Sequence, residues 1–240
     1  MVRRGCRAPG GGGGTLGEAR ALSDATAIPS CHLLADIDAE ADLYLLAVSD
    51  EAIVPVARAL YQLGLKDKLL IHTSGATPAA VLRPFSRRFG VFYPLQTFSR
   101  ERAIDFSKIP ICIQANRTDD ETRLLRLGQR LSRSVHRIDD RQRAVLHVAA
   151  VFANNFSNHL FEISAQVLER EDLPFDLLRP LIEETAAKVQ TQRPADMQTG
   201  PAIRGDRTTI ERHLDFLDDQ PRLRALYRSL TELINPDIEL

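Results

Sequence analysis

Few of the residues and patterns that announce a function at once are present in this 240-residue chain. Its three cysteines, Cys6, Cys31 and Cys112, form no C-x-x-C pair and no metal-ligand spacing, which excludes a disulfide scaffold and fits free thiols in a reducing compartment. The six histidines are scattered, with no H-x-x-x-H and no neighbouring cysteine or acidic ligands, so no zinc site is expected. A formal charge of -1 gives no global attraction to nucleic acid or to an anionic membrane. The start, "MVRRGCRAPGGGGG", is basic but no apolar stretch follows it, and apolar runs elsewhere are too short for a membrane span. No internal repeat and no heptad pattern occurs. With 44% hydrophobic and 26% charged residues, what remains is a soluble globular composition long enough for two modest domains, and a cytoplasmic protein is the default expectation.

Residues 41 to 116 alternate short apolar runs with amphipathic segments. "DLYLLAVSD" (42 to 50) reads as a buried strand ending in small polar residues. Asp50 can cap the helix that follows, in which Ile53, Val56, Ala57 and Leu60 share a face. "KLLIHTSG" (68 to 75) is a second strand, and Pro78 suits the first turn of another helix. "FGVFYPLQTF" (89 to 98) and "IPICIQA" (109 to 115) are further strands, and "TDDETRLLRLGQRLS" (118 to 132) is a helix with an acidic first turn. This rhythm predicts a parallel sheet covered by helices, whose ligands bind at the carboxyl ends of the strands. The polar ends "AVSD", "HTSG" and "PLQTF" would gather on that rim.

From about Asp139 the pattern becomes wholly helical: one helix of some thirty residues over 139 to 171, another over 174 to 190, and two more at about 206 to 218 and 220 to 234. The Pro- and Gly-containing stretch 193 to 206 reads as an ordered or functional loop. The expected division is therefore a disordered lead-in over 1–14, an incomplete α/β domain over 15–138 and a helical domain over 139–240. Within the first long helix, "HVAAVFANNFSNHL" (147 to 160) sets two histidines and three asparagines among apolar residues. At 100° per residue His147, Asn154 and Asn158 fall on one stripe. Such a stripe must either face a polar surface or line a wet cleft, since an unpaired buried amide costs about 1 to 3 kcal/mol; capping of backbone groups inside a helical core is the other reading.

Long stretches of the chain resemble a bacterial family of Rossmann-like proteins with a C-terminal domain of unknown function. "LHVAAVFANNFSNHLF", "LPFDLLRPLIEET" and "QTGPAIRGDRTTIERHL" resemble its helical domain, and "LLAVSDEAI", "IHTSGATP" and "GVFYPLQTFS" its N-terminal domain. In architecture the family is similar to pyrroline-5-carboxylate reductase, ketopantoate reductase and the deazaflavin-dependent NADP oxidoreductases. The resemblance implies an α/β Rossmann-like parallel sheet, an all-helical C-terminal domain, and a reductase or dehydrogenase that uses NADP or NAD on a small carbonyl or imine substrate at a cleft between domains. Ser49 and Asp50 would approach the cofactor's backbone, with His72, Thr73, Ser74 and Gly75 near the nicotinamide. His147 would be a general acid or base with Asn154 and Asn158 orienting a substrate oxygen, while Gln96, Gln198, Thr199 and Arg204 would bind the substrate. Such proteins open with a strand running into a G-x-G-N turn that holds the pyrophosphate. Here "GGGGG" (10 to 14) follows Arg, Ala and Pro rather than an apolar strand, and "TLGEARALS" (15 to 23) looks like the family's second helix. The first βα unit is therefore expected to be truncated and dinucleotide binding to be weak. Apolar positions along 144 to 168 exceed one helix face, which implies a homodimer through the helical domain. The rival expectation is a non-catalytic nucleotide-sensing or dimerising protein.

Overall fold

The computed structural model describes residues 33–99 and 102–240, with Gly5, Cys6, Ser23, Asp24, Ala27, Ser30 and Cys31 before them. The glycine run and most of the segment expected as the family's second helix lie outside the described residues. Of the expected lead-in, Gly5–Cys6 (β1) is described, and it pairs in parallel with Ser30–Cys31 (β2) as a two-residue ladder. The chain divides into two compact units, one ending at Asn158 and one beginning at His159.

The first unit is built on a five-stranded sheet. Leu43–Leu46 (β3) leads into Asp50–Gln62 (α1) and then Leu69–His72 (β4); Arg88–Pro94 (β5), Ile111–Ala115 (β6), Thr118–Gln129 (α2) and Val135–Arg137 (β7) follow. The strand order is β3-β4-β5-β6-β7. All neighbours are parallel except β5 and β6, which run antiparallel, a departure from the all-parallel expectation. The connection fits this: among the described residues of 95–110 there is only the 3₁₀ turn Phe106–Lys108, and parallel neighbours usually need a crossover helix. On β5 Gly90 is required, because a Cβ there would lie 2.2 Å from the Gln114 carbonyl of β6.

Both faces of the sheet are covered, which is why β4 reads as an unbroken apolar run. On one face Leu70 and Val91 pack with Ile53, Val56, Ala57 and Leu60 of α1; on the other Leu69, Ile71, Phe92, Ile111 and Ile113 pack with Leu124 of α2. Fully burying a residue such as Ile53 contributes about 1.5 to 3 kcal/mol. Among the described residues β3 is paired on one side only, and its Leu45 is 49% exposed.

Several sequence expectations need correction. After Pro78 the chain makes a single 3₁₀ turn, Ala79–Leu82, and no longer helix, since Pro84 forbids continuation. Ser49 rather than Asp50 occupies the N-cap of α1, and it makes no side-chain capping bond. Strand β7 was not foreseen; at three residues it is too short to show a period. The long helix is not uniform: Asp140–Ala150 (α3) passes into a π-helical turn, Val151–Phe156, before Ser157–Glu169 (α4). The Ser157 hydroxyl donates to the Phe152 carbonyl at 3.2 Å, supplying a partner five residues back where the α pattern is broken.

The second unit contains most of α4, then Arg179–Lys188 (α5), Arg207–Phe216 (α6) and Pro221–Ile234 (α7). Its fully buried core is small: Ile210, Leu214 and Ile238, with Tyr227 and Leu240 against them. An apolar cavity of about 390 Å³ lies among Leu160, Ile163, Val167, Phe216, Leu223 and Leu226. Among the described residues no helix is long and apolar enough to cross a membrane.

Candidate functional site

The carboxyl end of β4 opens into a loop whose every turn is fixed by a side chain. His72, the last strand residue, is wholly buried, and its Nδ1 accepts the Ser74 amide at 3.2 Å. Ser74 Oγ in turn accepts the amides of Ala76 and Thr77, at 3.2 and 2.9 Å. With Nδ1 an acceptor, the proton of neutral His72 sits on Nε2. That nitrogen is near enough to the Pro78 carbonyl to feel it but closes no hydrogen bond of normal geometry. Burial first, and the Arg143 cation second, lower the His72 pKa from 6.5 to about 4.

Helix α3 is stapled onto this loop from the other side. Asp139 opens the helix with a capping box: its carboxylate accepts the Gln142 amide at 2.7 Å, and Gln142 Oε1 accepts the Asp139 amide at 2.9 Å. That start fixes Asp140 and Arg143 over the rim. Asp140 Oδ1 accepts the Ala79 amide at 3.0 Å and an Arg143 Nη2 donor at 2.7 Å. Arg143, 1% exposed, also donates to the Thr77 carbonyl at 2.7 Å and to Gln114 Oε1 of β6 at 2.8 Å. A buried guanidinium is tolerated because the carboxylate and two neutral oxygens surround it.

One helical turn beyond Arg143, and so on the same face, comes His147. Its Nδ1 is buried without a hydrogen-bond partner. It lies over Gly75, where a Cβ would be 2.7 Å from His147 Nδ1, 2.8 Å from Tyr93 Cζ and 2.9 Å from Tyr93 Oη. Only glycine fits beneath the two rings. Tyr93 and His147 meet edge to face, centroids 6.4 Å apart. Burial raises the Tyr93 phenol and the Cys112 thiol above their ordinary pKa values, so both stay protonated at neutral pH. Three buried polar atoms without partners, His72 Nε2, Arg143 Nε and His147 Nδ1, thus belong to residues that border one short loop.

The structure therefore brings His72, Ser74, Gly75 and His147 together, as expected from the rim. Thr73 is half-buried beside them, its amide bonded to the Leu46 carbonyl of β3 at 3.3 Å. Ser49 and Asp50 are exposed at the start of α1. Gln96 is exposed just beyond β5, its Oε1 accepting the Thr97 amide at 2.9 Å. Asn154 and Asn158 are both exposed, and no hydrogen bond of their side chains occurs among the described residues. The π turn Val151–Phe156 inserts one extra residue, so positions beyond it, Asn158 among them, are displaced by about 100° from a continuous α-helix. Gln198, Thr199 and Arg204 are exposed in the second unit, where Gln198 donates to the Thr199 carbonyl at 3.0 Å. Tyr93, Gln114, Asp140 and Arg143 were not anticipated. The capping box Asp139-x-x-Gln142 and the four-residue spacing of Arg143 and His147 were the available signals. Among the described residues no group of three or more His, Cys, Asp or Glu could hold a metal ion, and no glycine-rich turn leads from a strand into a helix.

Comparison with known proteins follows the same lines. The domain of unknown function DUF2520 matches residues 109–234. A candidate NADP oxidoreductase from Bacteroides fragilis is similar over 92% of this chain and 86% of its own, at 39% identity and a TM-score of 0.82. The fold is also that of 1-pyrroline-5-carboxylate reductase from Streptococcus pyogenes, at 14% identity and a TM-score of 0.59 over 93% of this chain and 87% of that one. An imine reductase from Myxococcus stipitatus, solved with NADP+, has the same identity and TM-score over 90% and 82%. No curated protein matches the sequence.

Proposed function

Since the chain belongs to the DUF2520 family, on a Rossmann-like fold shared with NADP-dependent reductases, we propose that it is an NAD(P)-dependent oxidoreductase of a small carbonyl or imine compound. The observation that carries this reading is the placement of His147 over Gly75, at the carboxyl end of a parallel strand, where such folds bind their ligands. Thr73, Ser74 and Gly75, with His72 buried behind them and Ser49 and Asp50 alongside, would hold the nicotinamide end of a dinucleotide. When bound, a reduced nicotinamide supplies a hydride. The chain's own task is the proton. His147 gives it to the substrate heteroatom as a general acid, or takes it in the reverse direction. Asn154 and Asn158, exposed and without side-chain partners, are free to orient the substrate. In the second unit Gln198, Thr199 and Arg204 are exposed side chains able to grip an anionic group. Free Cys31 and Cys112 fit a cytoplasmic setting.

A homodimer through the helical part belongs to the same reading. In the second unit α5 buries no residue fully, while Leu177, Leu181 and Leu233 are 61%, 63% and 78% exposed. Val145, Val148 and Phe152 of the first unit are 67%, 57% and 64% exposed. Patches of this kind mark contact surfaces.

Titration calorimetry of the full chain with NADPH and NADH, and loss of dihydronicotinamide absorbance with a panel of small aldehydes, ketones and cyclic imines, test the proposal. His147→Gln is expected to lower kcat by about 10² to 10³ and to leave dinucleotide affinity unchanged. Undiminished turnover in that variant, or no hydride transfer to any compound, overturns it.

A further inference from the structure

Histidine works through one nitrogen at a time, and the partner of the other nitrogen decides which. In His147 the two nitrogens have opposite surroundings. Nδ1 is closed off against Gly75 and has no bonded partner. Nε2 is not among the buried unpartnered atoms and makes no hydrogen bond among the described residues, so it is the nitrogen a substrate can reach. Tyr93 Oη borders the same point as Nδ1: a Gly75 Cβ would stand 2.7 Å from Nδ1 and 2.9 Å from Oη, and no hydrogen bond joins the two. Tyr93 makes no side-chain hydrogen bond of its own among the described residues. Two hydrogen-bonding groups in edge contact, neither bonded elsewhere, are rare unless each is kept for the other or for a ligand.

We infer that Tyr93 is the positioning residue for His147: its phenol oxygen accepts the Nδ1–H bond, holding the proton on Nδ1 and leaving Nε2 as the reacting nitrogen. The inference rests on the oxidoreductase reading for its chemistry but not for its test. In the reductive direction the imidazolium Nε2–H bond breaks and its electron pair stays on the ring. The proton joins the substrate oxygen or nitrogen while the carbon takes the hydride of the reduced nicotinamide. The imidazole left behind is neutral with its proton on Nδ1, the form that Tyr93 stabilises, and solvent returns a proton to Nε2. An acceptor is needed at Nδ1 throughout, because a bare Nδ1 would force the remaining proton onto Nε2 and block the return step. The phenol suits the role because burial keeps it un-ionised, so it can accept without adding a charge beside Arg143. Such hydrogen bonds are commonly long in a free enzyme and close in the complex.

The test needs neither cofactor nor substrate. The full chain, labelled with ¹⁵N at histidine, is examined by NMR above the imidazole titration, the His147 resonances being those lost in His147→Gln. The expected result is a protonated Nδ1 and a bare Nε2 in the unsubstituted chain, with the proton shifting toward Nε2 in Tyr93→Phe. Phenylalanine keeps the ring that packs on Gly75 and loses only the hydroxyl, so a purely structural Tyr93 would leave the tautomer unmoved. Equal tautomer ratios in the two proteins overturn the inference. A proton on Nε2 in the unsubstituted chain overturns it too, and needs no variant to fold. A chain that shows the expected signature and transfers no hydride upholds the pairing and counts against the oxidoreductase reading alone. Where turnover is found, Tyr93→Phe is expected to lower kcat about tenfold with the KM for dinucleotide unchanged.

Discussion

Lowering the pH should destabilise the first unit through His72 more than through any surface histidine. In the folded chain its pKa is lowered from 6.5 to about 4, by burial first and Arg143 second. Between those values the unfolded chain binds a proton that the folded chain refuses, so stability is present above the unfolded pKa and falls as pH drops through the window. At 1.36 kcal/mol per unit the full window is worth about 3 kcal/mol, and roughly 2 kcal/mol is gone by pH 5. The groups facing the imidazole agree with that sign: Arg143 opposes protonation, and the favourable fields of Asp50 and Asp140 are the smaller contributions. Because carboxylates titrate over part of the same range, the measurement is a difference. Urea unfolding from pH 7 to pH 4 is compared in the unsubstituted chain and in His72→Asn, whose Oδ1 can take the place of Nδ1 as acceptor for the Ser74 amide. Stability should fall with pH more steeply in the unsubstituted chain, by about 2 kcal/mol at pH 5. Parallel curves would refute the reasoning and mean that His72 protonates freely in the folded state.

Arg143→Met should cost about 3 kcal/mol, because it removes the guanidinium donors from Asp140, Gln114 and the Thr77 carbonyl and leaves the half-buried Asp140 carboxylate with the Ala79 amide alone. Calorimetry should show the melting temperature down by about 10 °C; a drop below about 3 °C would mean the loop is held by other means. Gly75→Ala places a methyl 2.7 Å from His147 Nδ1 and 2.8 Å from the Tyr93 ring, so both rings must move. A cost of about 1 to 3 kcal/mol and shifted His147 resonances are expected, and unshifted resonances would contradict the close packing. Leu177→Asp combined with Leu181→Asp alters residues already 61% and 63% exposed, so the fold should survive while sedimentation equilibrium reports a halved mass; an unchanged mass removes this face from any dimer contact.

Much of the sheet was legible because its signals are local. The runs around β3, β4, β5 and β6 are apolar on consecutive residues, as strands buried on both faces must be, and each expected strand is present. The direction of β6 was not legible, because nothing within a strand records its sense. That information lies in residues 95–110, whose described part forms only one 3₁₀ turn, short of the helix a parallel crossover usually carries. The 3₁₀ turn after Pro78 carried a readable warning in Pro84, six residues on.

The site divides in the same way. His147 and the loop from His72 to Gly75 were found because polar residues in apolar surroundings stand out in a sequence. Tyr93 was passed over for the opposite reason: in an apolar strand a tyrosine reads as core, and indeed Tyr93 packs against the same cluster as Val91. What makes it more than core is the chance that residue 75 is a glycine and residue 147 a histidine, two facts 72 positions apart in the chain that only the fold superposes. The asparagines raise a different point. Placing Asn154 and Asn158 with His147 assumed an α-helix at every step, and the π turn over 151–156 invalidates that assumption just beyond His147. A π turn is retained against the easier α geometry when the displaced face has a use. Here both amides are exposed just beyond a histidine seated on the rim, where a bound substrate could meet them. Their substitution by alanine should then alter substrate KM and leave the His147 tautomer and the melting temperature unchanged. A melting temperature lowered by about 3 °C or more would instead mark them as structural.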